Sequence, residues 1–88
     1  MSDTFDKVKA VIIEIMANDD AEAAQMKESI TAETNLADDL SADSLDLLEI
    51  VQEVEEQFGI SVSDDQAADF ATVGQAAAAI DAMLAETA

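Results

Sequence analysis

Apolar residues recur early in the chain at helical spacing, with Phe5, Val8, Val11, Ile12, Ile15 and Met16 falling along one face and predicting a helix over 4–17. Asp3 and Thr4 are expected to cap its start, and the polar run Asn18-Asp19-Asp20 to end it. A clearer face follows: Leu47, Ile50, Val51, Val54 and Phe58 lie within about 100° of one another at 3.6 residues per turn, which predicts a helix over 44–58. Both of its ends are marked. Asp43, with Asp46 three residues on, resembles a cap and its partner, and Gly59 suits the left-handed position just past the last turn. Ile60-Ser61-Val62 is then expected to cross back over the core, with Ser63 or Asp64 capping a short helix that reaches about Phe70. Thr72-Val73-Gly74-Gln75 fits the capping box of a last helix, whose Val73, Ala76, Ala77, Ile80, Met83 and Leu84 line one side.

Between Asn18 and Asp43 no period is evident, yet 26 structureless residues would be unusual in so small a chain. Ala21-Glu22-Ala23-Ala24-Gln25-Met26-Lys27 is rich in strong helix formers and predicts a short helical turn, while Ile30, Leu36 and Leu40 are expected to anchor the connection on the core. No alternating strand pattern competes, and proline is absent. The expected fold is all-α: one domain, 1–88, forming a small four-helix bundle of three long helices and a short third one, with a long first loop.

Composition narrows the function. The chain has neither His nor Cys, which removes the usual general base, the usual zinc ligands, and any Ser-His or Cys-His nucleophile pair built within it. It is not expected to be an enzyme. Twenty-one acidic against three basic residues give a net charge of -18, which repels nucleic acid and anionic membranes and favours basic partners. The start, Met1 to Asp6, lacks the basic residues and apolar run of a signal peptide, and no apolar run approaches membrane-spanning length. A cytoplasmic monomer is expected.

Ser44 is the candidate for chemistry. It stands in Ala42-Asp43-Ser44-Leu45, after Leu36-Ala37-Asp38-Asp39-Leu40 and before Asp46-Leu47-Leu48-Glu49-Ile50-Val51. A hydroxyl in the first turn of a helix is exposed and lies where backbone N–H groups favour a phosphate. Capping is the commonest alternative employment for a Ser at such a boundary. Over 36–58 the chain resembles the acyl carrier protein family, with Asp43-Ser44-Leu45 matching its attachment motif, and the order of elements along most of the chain matches as well. The resemblance implies that Ser44, flanked by Asp43 and Leu45, carries a 4'-phosphopantetheine arm derived from coenzyme A. Acyl groups would be held on that arm as thioesters for fatty acid or lipid synthesis. A chain without Cys has no thiol of its own for such work.

Along the same helix Asp46, Glu49, Glu53 and Glu56 recur opposite the apolar arc with no basic residue among them. A face selected for stability alone would include lysines, since like charges at i,i+4, such as Glu49 and Glu53, each cost a helix about 0.2–0.5 kcal/mol. The stripe is therefore expected to dock basic patches on partner enzymes, with Leu45 and Leu48 as apolar anchors. By resemblance these partners are a phosphopantetheinyl transferase and acyl-transferring enzymes. Met16 and Met83 could offer adaptable walls to an acyl chain entering the bundle.

Three departures from the family pattern point to a dedicated pathway. Ser41 stands where the family commonly has Gly, Gln52 and Glu53 replace apolar or small residues, and the first connection is several residues longer around 19–25. An aminoacyl or polyketide carrier would share the arm and the bundle. An acidic decoy is permitted by charge alone but leaves the context of Ser44 unexplained. A calcium site over Asp38, Asp39, Ser41, Asp43 and Asp46 fails on spacing, because a loop begun at Asp39 puts Ser44 where the EF-hand needs Gly and Ile50 where it needs Glu.

Overall fold

The computed structural model describes residues 3–87; Met1 and Ser2, which open the stretch read for a leader, lie outside them. Five helices follow in order: α1 (Asp3–Met16), α2 (Asp20–Ser29), α3 (Ser44–Phe58), α4 (Asp64–Ala67) and α5 (Val73–Thr87). α1 is the central element and packs against α5, α3 and α2. Its Val8, Val11 and Ile12 meet Ile50 and Val54 of α3 and Val73, Ala76 and Ile80 of α5 in one buried cluster. Full burial of each aliphatic side chain of this kind is worth about 1.5–3 kcal/mol, so these faces hold the bundle together.

The expected apolar faces are the buried ones, and the all-α bundle is the fold. The count of helices differs, because the first connection carries a ten-residue helix of its own, α2, in place of a short turn. Asp19 caps it by accepting from the Glu22 N–H at 2.8 Å. No residue of α2 is buried, which is why hydrophobic periodicity does not reveal it. The connection past α2 is anchored as expected by Ile30 and Leu36, both buried, and by Leu40, half-buried against the core.

The start of α1 also differs from expectation. Asp3 and Thr4 lie inside the helix, and the Thr4 hydroxyl donates to the Asp81 carboxylate of α5, fastening the two helices instead of capping one. Toward the other end, Ser63 caps α4 in a capping box with Gln66, and the helix stops at Ala67 before a turn leads to Phe70. Gly59 closes α3 at φ 65°, the left-handed conformation that glycine adopts without steric cost.

A backbone clasp joins the first connection to the entry of α5. Leu36 N–H donates to Ala71 O at 2.9 Å, Val73 N–H to Thr34 O at 3.0 Å and Gly74 N–H to Ala32 O at 2.9 Å, around an isolated antiparallel bridge between Asn35 and Thr72. Gly74 is required there: a Cβ at that position would stand 2.8 Å from Ala32 O. The Thr72 and Gln75 capping box is present immediately beside the clasp.

Candidate functional site at the start of α3

The approach to α3 is built from hydrogen bonds. Asn35 is its hub, with Oδ1 accepting from the N–H groups of Ala37 at 2.9 Å and Asp38 at 2.8 Å. The Asp39 carboxylate returns to Asn35 N–H at 2.8 Å, and Ala42 N–H donates to Leu36 O at 2.9 Å. With Leu36 and Ala42 both buried, the loop is pinned at two points on the core. Between them Ser41 adopts φ 57°, the left-handed region in which a side chain is disfavoured.

Asp43 is the N-cap of α3. Its carboxylate accepts from Asp46 N–H at 2.9 Å, and the Asp46 carboxylate accepts from Asp43 N–H at 3.2 Å, a reciprocal capping box. Ser44 is consequently the first helical residue and not the cap, so the commonest structural use of a serine at this boundary is already filled by its neighbour. Its side chain is exposed. The hydroxyl has no hydrogen-bond partner among the described residues. Leu45 and Leu48 are the exposed large hydrophobics beside it, at 62% and 52% of full exposure, while the other large apolar side chains among the described residues are buried or half-buried.

From Ser44 a groove of about 390 Å³ runs between α3 and α4. Leu47, Leu48, Val51, Val62 and Phe70 give it an apolar lining, with Gln52 and Glu55 among its polar residues. Glu55 also braces the segment after α3 by accepting from Val62 N–H at 2.7 Å. That side chain was not singled out by sequence reasoning, since nothing in spacing separates a bracing carboxylate from a solvated one.

The acidic stripe lies on the other flank of α3. Glu49 and Glu56 are exposed, whereas Asp46 and Glu53 are half-buried. Glu49, Glu53 and Glu56 border a shallow depression together with Glu14 and Ile15 of α1. The stripe is thus wider than one helix. Glu14 was missed because its membership depends on α1 packing beside α3, which no local pattern encodes. Among the described residues no group of three or more acidic side chains is arranged to hold a metal ion. The Asp39, Asp43 and Asp46 carboxylates are instead engaged with backbone N–H groups.

A small all-α bundle that presents a free, exposed serine hydroxyl at a capped helix start, beside an apolar groove, has the architecture of a carrier domain. The family model described as "Phosphopantetheine attachment site" matches residues 6–80, and the chain belongs to this family. Members attach 4'-phosphopantetheine and serve as carriers that are generally non-catalytic. Such a carrier interacts with a phosphopantetheinyl transferase and with synthesis enzymes. The residues present fit the arm: the site offers an exposed hydroxyl without a hydrogen-bond partner, in the first turn of a helix where a phosphate is favoured, and an apolar groove leading away. Among the described residues no helix is long and apolar enough to cross a membrane.

Proposed function

We propose that Ser44 is the residue that carries the 4'-phosphopantetheine arm, and that the protein delivers acyl groups to enzymes of fatty acid or lipid synthesis in one dedicated pathway. The observation that carries the assignment is the division of labour at the start of α3. Asp43 and Asp46 complete the cap between them, which leaves the Ser44 hydroxyl exposed and unemployed. When bound, the arm supplies the terminal thiol that this chain lacks, so that an acyl group can be held as a thioester.

The chain's own residues do the rest. Ser44 holds the phosphodiester at a helix start, where aligned peptide dipoles favour negative charge. Leu47, Val51, Val62 and Phe70 offer an apolar refuge along the groove that begins at Ser44. Leu45 and Leu48 give partners an apolar foothold, while Asp46, Glu49, Glu53 and Glu56 attract their basic patches. The extra helix α2 and the half-buried Glu53 support service to a dedicated set of enzymes, because both alter the surface a general partner would meet.

The test is intact-protein mass spectrometry after incubation with coenzyme A and a broad-specificity phosphopantetheinyl transferase. Wild type should gain one arm per chain and Ser44→Ala none. An equal gain in Ser44→Ala would refute the assignment.

A further inference from the structure

The groove that begins at Ser44 does not end with its apolar walls. Gln52 and Glu55 border it and also border a second depression of about 490 Å³, shared with Glu56, Ile60 and Ser61, so one track continues along the flank of α3. Its polarity changes on the way. Leu47, Leu48 and Val51 come first, within about two turns of Ser44, and Gln52 and Glu55 follow. The Gln52 side chain is exposed and makes no hydrogen bond among the described residues. Glu55 accepts from Val62 N–H, which leaves most of the acceptor capacity of its carboxylate unused.

We propose that this track holds the 4'-phosphopantetheine arm itself in the unacylated carrier, with Gln52 and Glu55 as positioning residues for its two amides. This placement rests on Ser44 being the attachment residue. The chemistry of the arm follows the order of the walls: after the phosphate come a carbon bearing two methyl groups, then two amides in succession, then the thiol. An acyl tail running the whole track would instead cover Gln52 and Glu55 without replacing the hydrogen bonds they make to water, which is unfavourable. Spacing agrees as well. An extended chain advances about 3.5 Å for every three bonds, so the two amide carbonyl carbons, four bonds apart, stand about 4.7 Å from one another. Gln52 and Glu55, three residues apart on α3, are separated by about 4.5 Å along the helix axis. The reach is sufficient. From phosphorus to sulfur the arm has roughly thirteen bonds and extends about 15 Å. Gln52 and Glu55 lie about 12 and 16.5 Å along α3 from Ser44, and long helical side chains lean back toward the helix start. Beyond its phosphate the arm is uncharged, so the acidic surroundings of Glu55, Glu56 and Asp64 do not expel it.

The experiment loads the full chain from isotope-labelled coenzyme A with the transferase, locates the arm by peptide mass spectrometry, and then follows it by NMR. The expected result is an arm on Ser44 whose methyl protons show nuclear Overhauser contacts to Leu47, Leu48 and Val51. Its two amide protons should exchange with solvent about fivefold or more slowly than in the same loaded chain unfolded in urea. Gln52→Leu keeps the bond between Glu55 and Val62 and should reduce that protection about twofold or more, the effect of one lost hydrogen bond, while the protein's own amide spectrum away from position 52 is retained. An arm on Ser44 that shows no contacts to α3, or whose amides exchange as fast as in urea, overturns the placement and leaves Ser44 as the attachment residue. Protection unchanged in Gln52→Leu overturns it as well. An arm found on another serine overturns both.

Discussion

At the residue scale, the start of α3 assigns different work to neighbouring side chains. Asp43 and Asp46 spend their carboxylates on each other's backbone, and Ser44 spends nothing. Ser41, three residues earlier, carries a side chain at φ 57°. A left-handed residue with a Cβ costs roughly 1–2 kcal/mol, against about 0.4–1 kcal/mol lost when glycine loosens the unfolded chain. Ser41→Gly should therefore raise stability by about 0.5–1 kcal/mol, equivalent to a few degrees in melting temperature for a domain of this size. Unchanged or lower melting in a calorimetric scan would mean that Ser41 is not strained. Sequence comparison could mark Ser41 as a departure from glycine, but only the backbone angle reveals that the departure falls on a left-handed residue.

Among the elements, legibility tracked burial. α1, α3 and α5 were readable because each buries a continuous apolar face, and α3 and α5 because both also carry their caps in the sequence. α2 was only half readable, as helix-forming composition without a period, because it lies on the bundle and contributes nothing fully buried to the core. The clasp between 32–36 and 71–74 was not legible at all, since backbone pairing across such a separation leaves no local pattern. Gly74→Ala tests the clasp. Its methyl group would meet the Ala32 carbonyl, and the overpacking should cost about 1–3 kcal/mol, measured by urea unfolding. A cost near zero would indicate that the clasp yields freely.

The acidic flank of α3 belongs to the same scale. Glu49 and Glu53 repel one another along the helix, so Glu49→Lys should raise stability slightly, by about 0.4–1 kcal/mol, as repulsion becomes attraction. The double change Glu49→Lys/Glu53→Lys should slow acyl transfer to a partner enzyme about tenfold or more at low salt, through a lower association rate, while the helical spectrum is retained. Transfer kinetics identical to wild type would remove the stripe from docking and leave it a solvated face.

For the whole molecule, charge and core act in opposition. A net charge of -18 on a particle with a radius of gyration of 12.1 Å repels itself, and one aliphatic core clustered around α1 must outweigh that repulsion. Raising sodium chloride from about 10 mM to about 300 mM shortens the screening length from roughly 30 Å to under 10 Å, so the melting temperature should rise. A flat or falling dependence would mean that carboxylate repulsion is not what limits stability. The bundle and its charge were legible in the sequence because both are sums over many residues. The grooves were not, because each depends on how two helices sit against one another.

The most direct measurement of the central claim is localisation of the arm by digestion and tandem mass spectrometry of the loaded protein. The added mass is predicted on the hydroxyl of Ser44 in every modified peptide, with Ser41, Ser61 and Ser63 unmodified. An arm found on any of those three serines, or a chain left unmodified by a competent transferase, would contradict it.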